Sequence, residues 1–465
     1  MQSKWAGVEQ FIVDFMEEYK VPGLAVAVAQ GDEIIYEKGF GLRDLASRAE
    51  VTPQTIFGVA SLTKSITAIA VAKLVDQGKV SFDDLVVKHL PEFCLPGGAD
   101  ASRVTIRHLL THTSGMPALD ALRVSFQSHS SPDPEEPMPA PLSATPINTY
   151  SQLMAYVGQR DVAVLDEPGR IFNYSNEAYA TLGALVRRVS GMTYAAFARR
   201  HVLEPLGMEH STMSFEEMYE HEDVTVLYTR QSDGSLQAST RWPCAPAMQA
   251  AGRIKSNVKD FIRVFQMYNG LGTYGGVQVL SEEVVRENTD LHFAHSLCEG
   301  YGHAVHVQPD YQGYKVVSHG GAGKGISAHG GYVPATGLCV MVLCNLGGVP
   351  VRNVWAALVN IGLGLPLETP RCEYSRSTWE TDEVVSIQGL YKTAEGADFA
   401  IEYREGRLLH RHKDKTSEIF KIGEMRGIMT ESGTEQEMKF YLAADGSVKG
   451  VGKGSRFIPR ITDQN

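Results

Sequence analysis

The chain has 465 residues, 43% of them hydrophobic and 21% charged, a balance that fits a globular protein with room for more than one domain. A formal net charge of −11 and the lack of any basic run argue against a nucleic-acid, polyanion or membrane-surface partner. Six cysteines at 94, 244, 298, 339, 344 and 372 lack C-x-x-C spacing, so neither a zinc site nor a dense disulfide framework is expected.

In chain order, the first segment, MQSKWAGVEQFIVDFMEEYKVPG, reads as a helix with acidic residues inside it. It has neither the basic start nor the unbroken apolar stretch of a signal peptide, and no later span is long and apolar enough to cross a membrane, so a cytoplasmic protein is expected. GLAVAVAQ (23–30) and EIIYEKG (33–39) flank Gly31-Asp32 as a β-hairpin. VASLTKSITAIAVAKLVDQGKV (59–80) follows as a helix apolar around most of its circumference, the pattern of a buried helix. Ser61 and Lys64 stand three apart near its start, on one face, where the lysine can help take a proton from the serine.

Residues 117–150 are rich in Pro, Ser and acidic residues and read as a long loop, either a lid or a disordered insertion. EPGRIFNYSNEAYATLGALV then holds Tyr174-Ser175-Asn176 at the opening of a helix. Far downstream, YKVVSHG (314–320), ISAHGGYVP (326–334) and GLCVMVLCN (337–345) are short strands, the first ending in His319-Gly320-Gly321, where backbone can approach a ligand closely. Pairing of these strands with the N-terminal hairpin gives an α+β domain of an antiparallel sheet with an inserted helical region, over 1–366. A polar linker at 367–386 leads to short alternating strands at 387–465, read as a small antiparallel β-barrel or sandwich with no catalytic cluster, whose removal is expected to leave Ser61 chemically competent while changing specificity or assembly at most.

Together and in this order the motifs resemble the serine β-lactamase and penicillin-binding protein superfamily, in its class C β-lactamase-like branch of D-aminopeptidases and esterases: S-x-x-K at 61–64, Y-x-N at 174–176 and H-x-G at 319–321. IFGVASLTKSITA, TIRHLLTHTSGMP, VLEPLGMEHSTM and GYVPATGLCVMVLCN extend the likeness over roughly 8–362, and GLYKT at 389–393 resembles the opening of the lipocalin-like domain attached to some members. The resemblance implies a serine hydrolase acting through an acyl-enzyme on Ser61. Lys64 and Tyr174 would share proton transfer, either serving as the base. Asn176 would orient Lys64 or the substrate, with His319, Gly320 and Gly321 beside the substrate and the N–H groups of Ser61 and Ala322 as oxyanion hole.

His319 stands where many relatives carry lysine, so weakened binding of substrate carboxylates is expected, unless the imidazole merely hydrogen-bonds within its strand. The expected substrate is a small or D-residue-containing peptide, with a carboxylesterase or β-lactamase-like hydrolase as the alternative. The chain is expected to use no cofactor or metal, and a homo-oligomer is allowed. His108 and His112 have zinc-like spacing but lack the glutamate of H-E-x-x-H, and no G-x-S-x-G supports a Ser-His-Asp triad. A non-catalytic ligand-binding or scaffold protein is the reading from another class.

Overall fold

The computed structural model describes residues 2–129, 147–394, 396, 398–431 and 434–461. Its main sheet has nine strands: β1 (Gly23–Gln30), β2 (Glu33–Asp44), β3 (Ala49–Glu50), β4 (Phe293–Ala294), β5 (Gly300–Tyr301), β6 (His306–Tyr311), β7 (Tyr314–Gly323), β8 (Ile326–Val333) and β9 (Leu338–Cys344). The spatial order is β4-β5-β6-β7-β8-β9-β1-β2-β3. The expected hairpin and downstream strands therefore share one sheet, closed by the antiparallel pairing of β1 with β9, with Val26 opposite Val342.

The alternation of GLAVAVAQ explains why both faces of β1 are covered. Leu24, Val26 and Val28 pack with Val8 and Ile12 of α1 (Gln2–Glu18) and with Trp355 and Leu358 of a C-terminal helix at Arg352–Leu363. Ala25, Ala27 and Ala29 face the helical region, which includes α2 (Thr63–Asp76), α3 (Asn176–Ser190) and α4 (Val258–Asn269). Small side chains there let the helices approach the sheet. Nearly all of α2 is buried, as its all-round apolar pattern requires. It starts later than the sequence suggests, because Ala60–Leu62 forms a separate 3₁₀ turn carrying Ser61.

Within the stretch expected as a structureless loop, Ala121–His129 is helical. Residues 130–146, on which the choice between lid and disordered insertion falls, lie outside the described residues.

The C-terminal strands form two open antiparallel sheets rather than a closed barrel: β10 (Gly389–Lys392), β11 (Asp398–Arg404), β12 (Arg407–His412) and β13 (Lys415–Glu418), then β14 (Phe420–Gly423), β15 (Arg426–Glu431), β16 (Thr434–Leu442), β17 (Val448–Lys453) and β18 (Arg456–Pro459). Ile419 is the reason at one seam. Its side chain is buried and its N–H still donates to Leu408 O in the β12–β13 register, but its carbonyl accepts from Trp379 Nε1, so the ladder ends there. At the other seam an isolated bridge joins Tyr391 to Arg460. The core between these sheets uses Val384, Ile387, Tyr391, Leu408, Met438 and Val451, so the stretch expected as linker already folds with the strands through the helix at Thr381–Ile387.

One close approach positions the Ser61 turn. A Cβ on Gly321 of β7 would lie 2.2 Å from Val59 O, so only glycine lets the strand pass beside the turn. Gly321→Ala should force the two apart and destabilise the fold by about 1–3 kcal/mol, read by denaturant unfolding; unchanged stability would show that the contact relaxes without cost.

Candidate active site

Ser61 sits on a strained turn. The preceding Ala60 has φ +44°, a conformation costly for a residue with a Cβ and common where structure is held for function. The hydrogen bond from Val59 N–H to Ile254 O (3.1 Å) anchors the turn.

Lys64, one helical turn on, has no exposed surface. Its Nζ lies 3.2 Å from Ser61 Oγ, 2.9 Å from Asn176 Oδ1 and 2.6 Å from Ala251 O. Among the described residues no carboxylate comes within ion-pair distance. Burial, reinforced by the charges of Arg456 and Arg253 and opposed by Glu177, holds the amine well below the ordinary lysine range. A neutral amine has two N–H donors and one lone pair. In that form, with its donors on Asn176 Oδ1 and Ala251 O, the amine would turn its lone pair to Ser61 Oγ.

Tyr174 packs its ring near that amine, with Lys64 Nζ 4.7 Å from the ring centroid. Burial holds the phenol above its ordinary range, with the Ser61 hydroxyl and the Arg456 charge opposing it. Its oxygen is buried and makes no hydrogen bond of full geometry among the described residues. Asn173 to Ser175 are held from two sides. On one, Asn173 N–H donates to His112 O (2.8 Å) and Ser175 N–H to His112 Nδ1 (3.0 Å). On the other, Tyr174 N–H donates to Ser455 O (2.9 Å), Phe457 N–H donates to Asn173 Oδ1 (3.0 Å), and the Arg456 guanidinium donates to Tyr174 O.

His319 is 2% exposed, and both its nitrogens are engaged, Nδ1 with Gly320 O (2.6 Å) and Nε2 with the Tyr301 hydroxyl (2.9 Å). A carbonyl accepts only, so Nδ1 carries the proton and Nε2 accepts from the phenol. Burial holds the ring well below the ordinary imidazole range, so it is neutral.

Ser61, Tyr174, Asn176, His319, Gly320, Gly321 and Ala322 all line one cavity of about 470 Å³, with Lys64 buried behind it. The sequence reading missed its charge. Arg253, Arg352 and Arg456 also line the cavity, and among the described residues no aspartate or glutamate does. The expected weakening of carboxylate binding concerned His319 alone, and these cations come from other segments. Arg253 and Arg352 each keep an Nε without a hydrogen-bond partner among the described residues. The C-terminal strands, read in the sequence as carrying no catalytic cluster of their own, supply Ser455 and Arg456 to the wall of the cavity.

The zinc-like spacing of His108 and His112 does not make a pair. His108 Nδ1 accepts from Thr105 N–H (3.1 Å) at a helix start, while His112 Nδ1 serves Ser175. Two other groups, Glu287-His292-His303 and His295-Glu299-His306, cluster ligand-type atoms within 4.8 Å. In the second, Glu299 is already paired with Arg352 and Arg371, cations that would compete with a metal.

The sequence profile of the β-lactamase family matches residues 8–362. Among solved structures, the octameric penicillin-binding protein homologue from Pyrococcus abyssi superposes with a TM-score of 0.70 at 27% identity, covering 97% of this chain and 98% of that one. A class C β-lactamase from Rhodobacter sphaeroides shares the fold at 20% identity, with a TM-score of 0.60 over 77% of this chain and 99% of its own. Penicillin-binding protein 4* of Bacillus subtilis is 24% identical over 70% of this chain and 68% of its own length. Protein flp of Staphylococcus aureus is 26% identical over 44% of this chain, and the matched stretch spans only 37% of that protein.

The arrangement is checked by covalent labelling with a fluorophosphonate. Ser61→Ala should abolish labelling, and Lys64→Ala should slow it by about 10²- to 10⁴-fold, both in folded protein. Labelling retained in folded Ser61→Ala would place the reactive hydroxyl elsewhere.

Proposed function

The chain belongs to the β-lactamase family, and on that premise we propose that it is a serine hydrolase forming an acyl-enzyme on Ser61, with small or D-residue-containing peptides as substrates. The observation that carries this reading is the Lys64 amine held between Ser61 Oγ, Asn176 Oδ1 and Ala251 O at the back of an open cavity. Ser61 Oγ attacks the scissile carbonyl carbon as its proton passes to Lys64 Nζ, and the resulting oxyanion lies between the N–H groups of Ser61 and Ala322. Collapse breaks the C–N bond, and the leaving amine takes a proton from Lys64, relayed by the Tyr174 phenol. Water then cleaves the ester by the same proton path and releases the acid.

Lys64 is favoured over Tyr174 as the base because burial acts oppositely on the two. It disfavours the ammonium and disfavours the phenolate, so both groups rest neutral and the amine is the one that accepts a proton. Asn176 acts by orienting that amine. His319, with both nitrogens engaged, shapes the wall beside Gly320 and Gly321.

Arg253, Arg352 and Arg456, with no acidic lining residue among the described ones, favour a peptide that presents its C-terminal carboxylate over one that presents an N-terminal ammonium. The D-residue preference draws support from two proteins of the same fold, a D-stereospecific amidohydrolase from Streptomyces and SurE, solved with D-Leu. The octameric homologue supports assembly into a homo-oligomer. Among the described residues no helix is long and apolar enough to cross a membrane.

The test is kcat/KM for N-acetyl dipeptides with a D- or L-residue at the scissile bond, each as free acid and as C-terminal amide, beside p-nitrophenyl esters. Free acids should exceed amides by about tenfold or more, with D-residues preferred. Equal rates would remove the carboxylate argument, fast esters with inert peptides would make the protein an esterase, and complete inertness would favour the binding-module reading.

A further inference from the structure

The Asn173–Ser175 segment has one flank supplied by its own fold, through His112, and the other by the turn between β17 and β18, nearly three hundred residues later in the chain. Both main-chain groups of Tyr174 are satisfied there: the N–H by Ser455 O (2.9 Å) and the carbonyl by the Arg456 guanidinium. The guanidinium carbon also lies 5.8 Å from the centroid of the Tyr174 ring, the same ring that Lys64 Nζ approaches at 4.7 Å. Phe457 N–H fixes the adjoining Asn173 side chain (3.0 Å), whose Nδ2 in turn donates to Met116 O (2.9 Å). An ion pair between Lys449 of β17 and Asp166 ties the same hairpin to the segment preceding Tyr174.

We propose that Arg456 is a positioning residue for the Tyr174–Lys64 pair, carried into the active site by the C-terminal sheets, which are thereby a required part of that site. The inference rests on the reading of Ser61, Lys64 and Tyr174 given above. Its physical content is twofold. The guanidinium donates to the Tyr174 carbonyl while its carbon stands 5.8 Å from the centroid of the Tyr174 ring, two contacts that a compact ammonium does not reproduce together. Its fixed positive charge disfavours a second cation on Lys64.

The pH consequence has a definite sign. Besides Arg456, the groups around Lys64 are Glu177, which favours the ammonium, Arg253, which opposes it, the buried His112 and His319, and the rings of Tyr174 and Tyr179. If Lys64 must be neutral to accept the Ser61 proton, activity rises with pH through its pKa. Loss of the Arg456 charge raises that pKa, so the rising limb moves to higher pH.

The experiment uses the full chain with a neutral p-nitrophenyl ester, so that no substrate carboxylate is involved, and compares wild type, Arg456→Ala, Arg456→Lys and Ser61→Ala, with thermal unfolding of each. Arg456→Ala should lower kcat by up to about 10²-fold with little change in KM and should shift the rising limb upward. Arg456→Lys should return the limb toward its wild-type position while recovering only part of kcat, because charge returns without the fork. Wild-type kcat and an unmoved limb in folded Arg456→Ala would overturn the proposal. If that variant unfolds, Arg456→Lys decides: wild-type kcat there would remove the positioning role. Turnover retained in Ser61→Ala would instead remove the underlying reading, so the two failures are distinguishable.

Discussion

A lysine amine with no exposed surface and, among the described residues, no carboxylate partner is the constraint on which the site depends. Taking an isolated ammonium out of water is expensive, and a protein that buries one either pairs it or lets it lose its proton. Here the surroundings favour the second outcome. Two carbonyl oxygens, of Asn176 and Ala251, match the two N–H donors of a neutral amine, and the third neighbour is the hydroxyl of Ser61. In the proposed reaction, loss of the charge would direct a lone pair at the Ser61 hydroxyl that gives up its proton.

Holding that arrangement requires contributions from remote parts of the chain. The 3₁₀ turn at Ala60–Leu62 presents Ser61, the first turn of α2 carries Lys64, the entry to α3 supplies Tyr174 and Asn176, and β7 closes the opposite wall by passing against Val59 at Gly321. Both strands and helices are rigid supports, packed through the two faces of β1. The final wall is the β17–β18 turn, and the hydrogen-bonding needs of the Tyr174 main chain depend on it. A buried main-chain group left without its partner costs about 1–3 kcal/mol, so this contact fixes Tyr174 energetically as well as closing the cavity.

What could be read in the sequence followed from local pattern. The alternation of GLAVAVAQ and the apolar circumference of α2 encode burial directly, and the short spacings of Ser61 to Lys64 and Tyr174 to Asn176 keep each pair on one local element. Where reading failed, the missing information was tertiary. Arg456 lies in KGSRF, an ordinary turn whose partner is 282 residues away, and nothing in its neighbourhood distinguishes it from a solvated arginine. Arg352 and Arg253 likewise begin or precede ordinary elements. The open form of the C-terminal sheets depends on where the main chain of Ile419 bonds, which alternation does not encode. His319 was legible as a wall residue, but its tautomer required Tyr301, eighteen residues earlier, to be placed against it.

The account's central claim is the resting state of Lys64. It is tested most directly by ¹³C NMR titration of protein labelled at lysine Cε, with the Lys64 resonance identified by its loss in Lys64→Met. The predicted result is a midpoint well below that of the exposed lysines, with a neutral amine in the active pH range. A Lys64 that titrates with the exposed lysines, remaining an ammonium throughout that range, would contradict the assignment of its amine as the acceptor of the Ser61 proton.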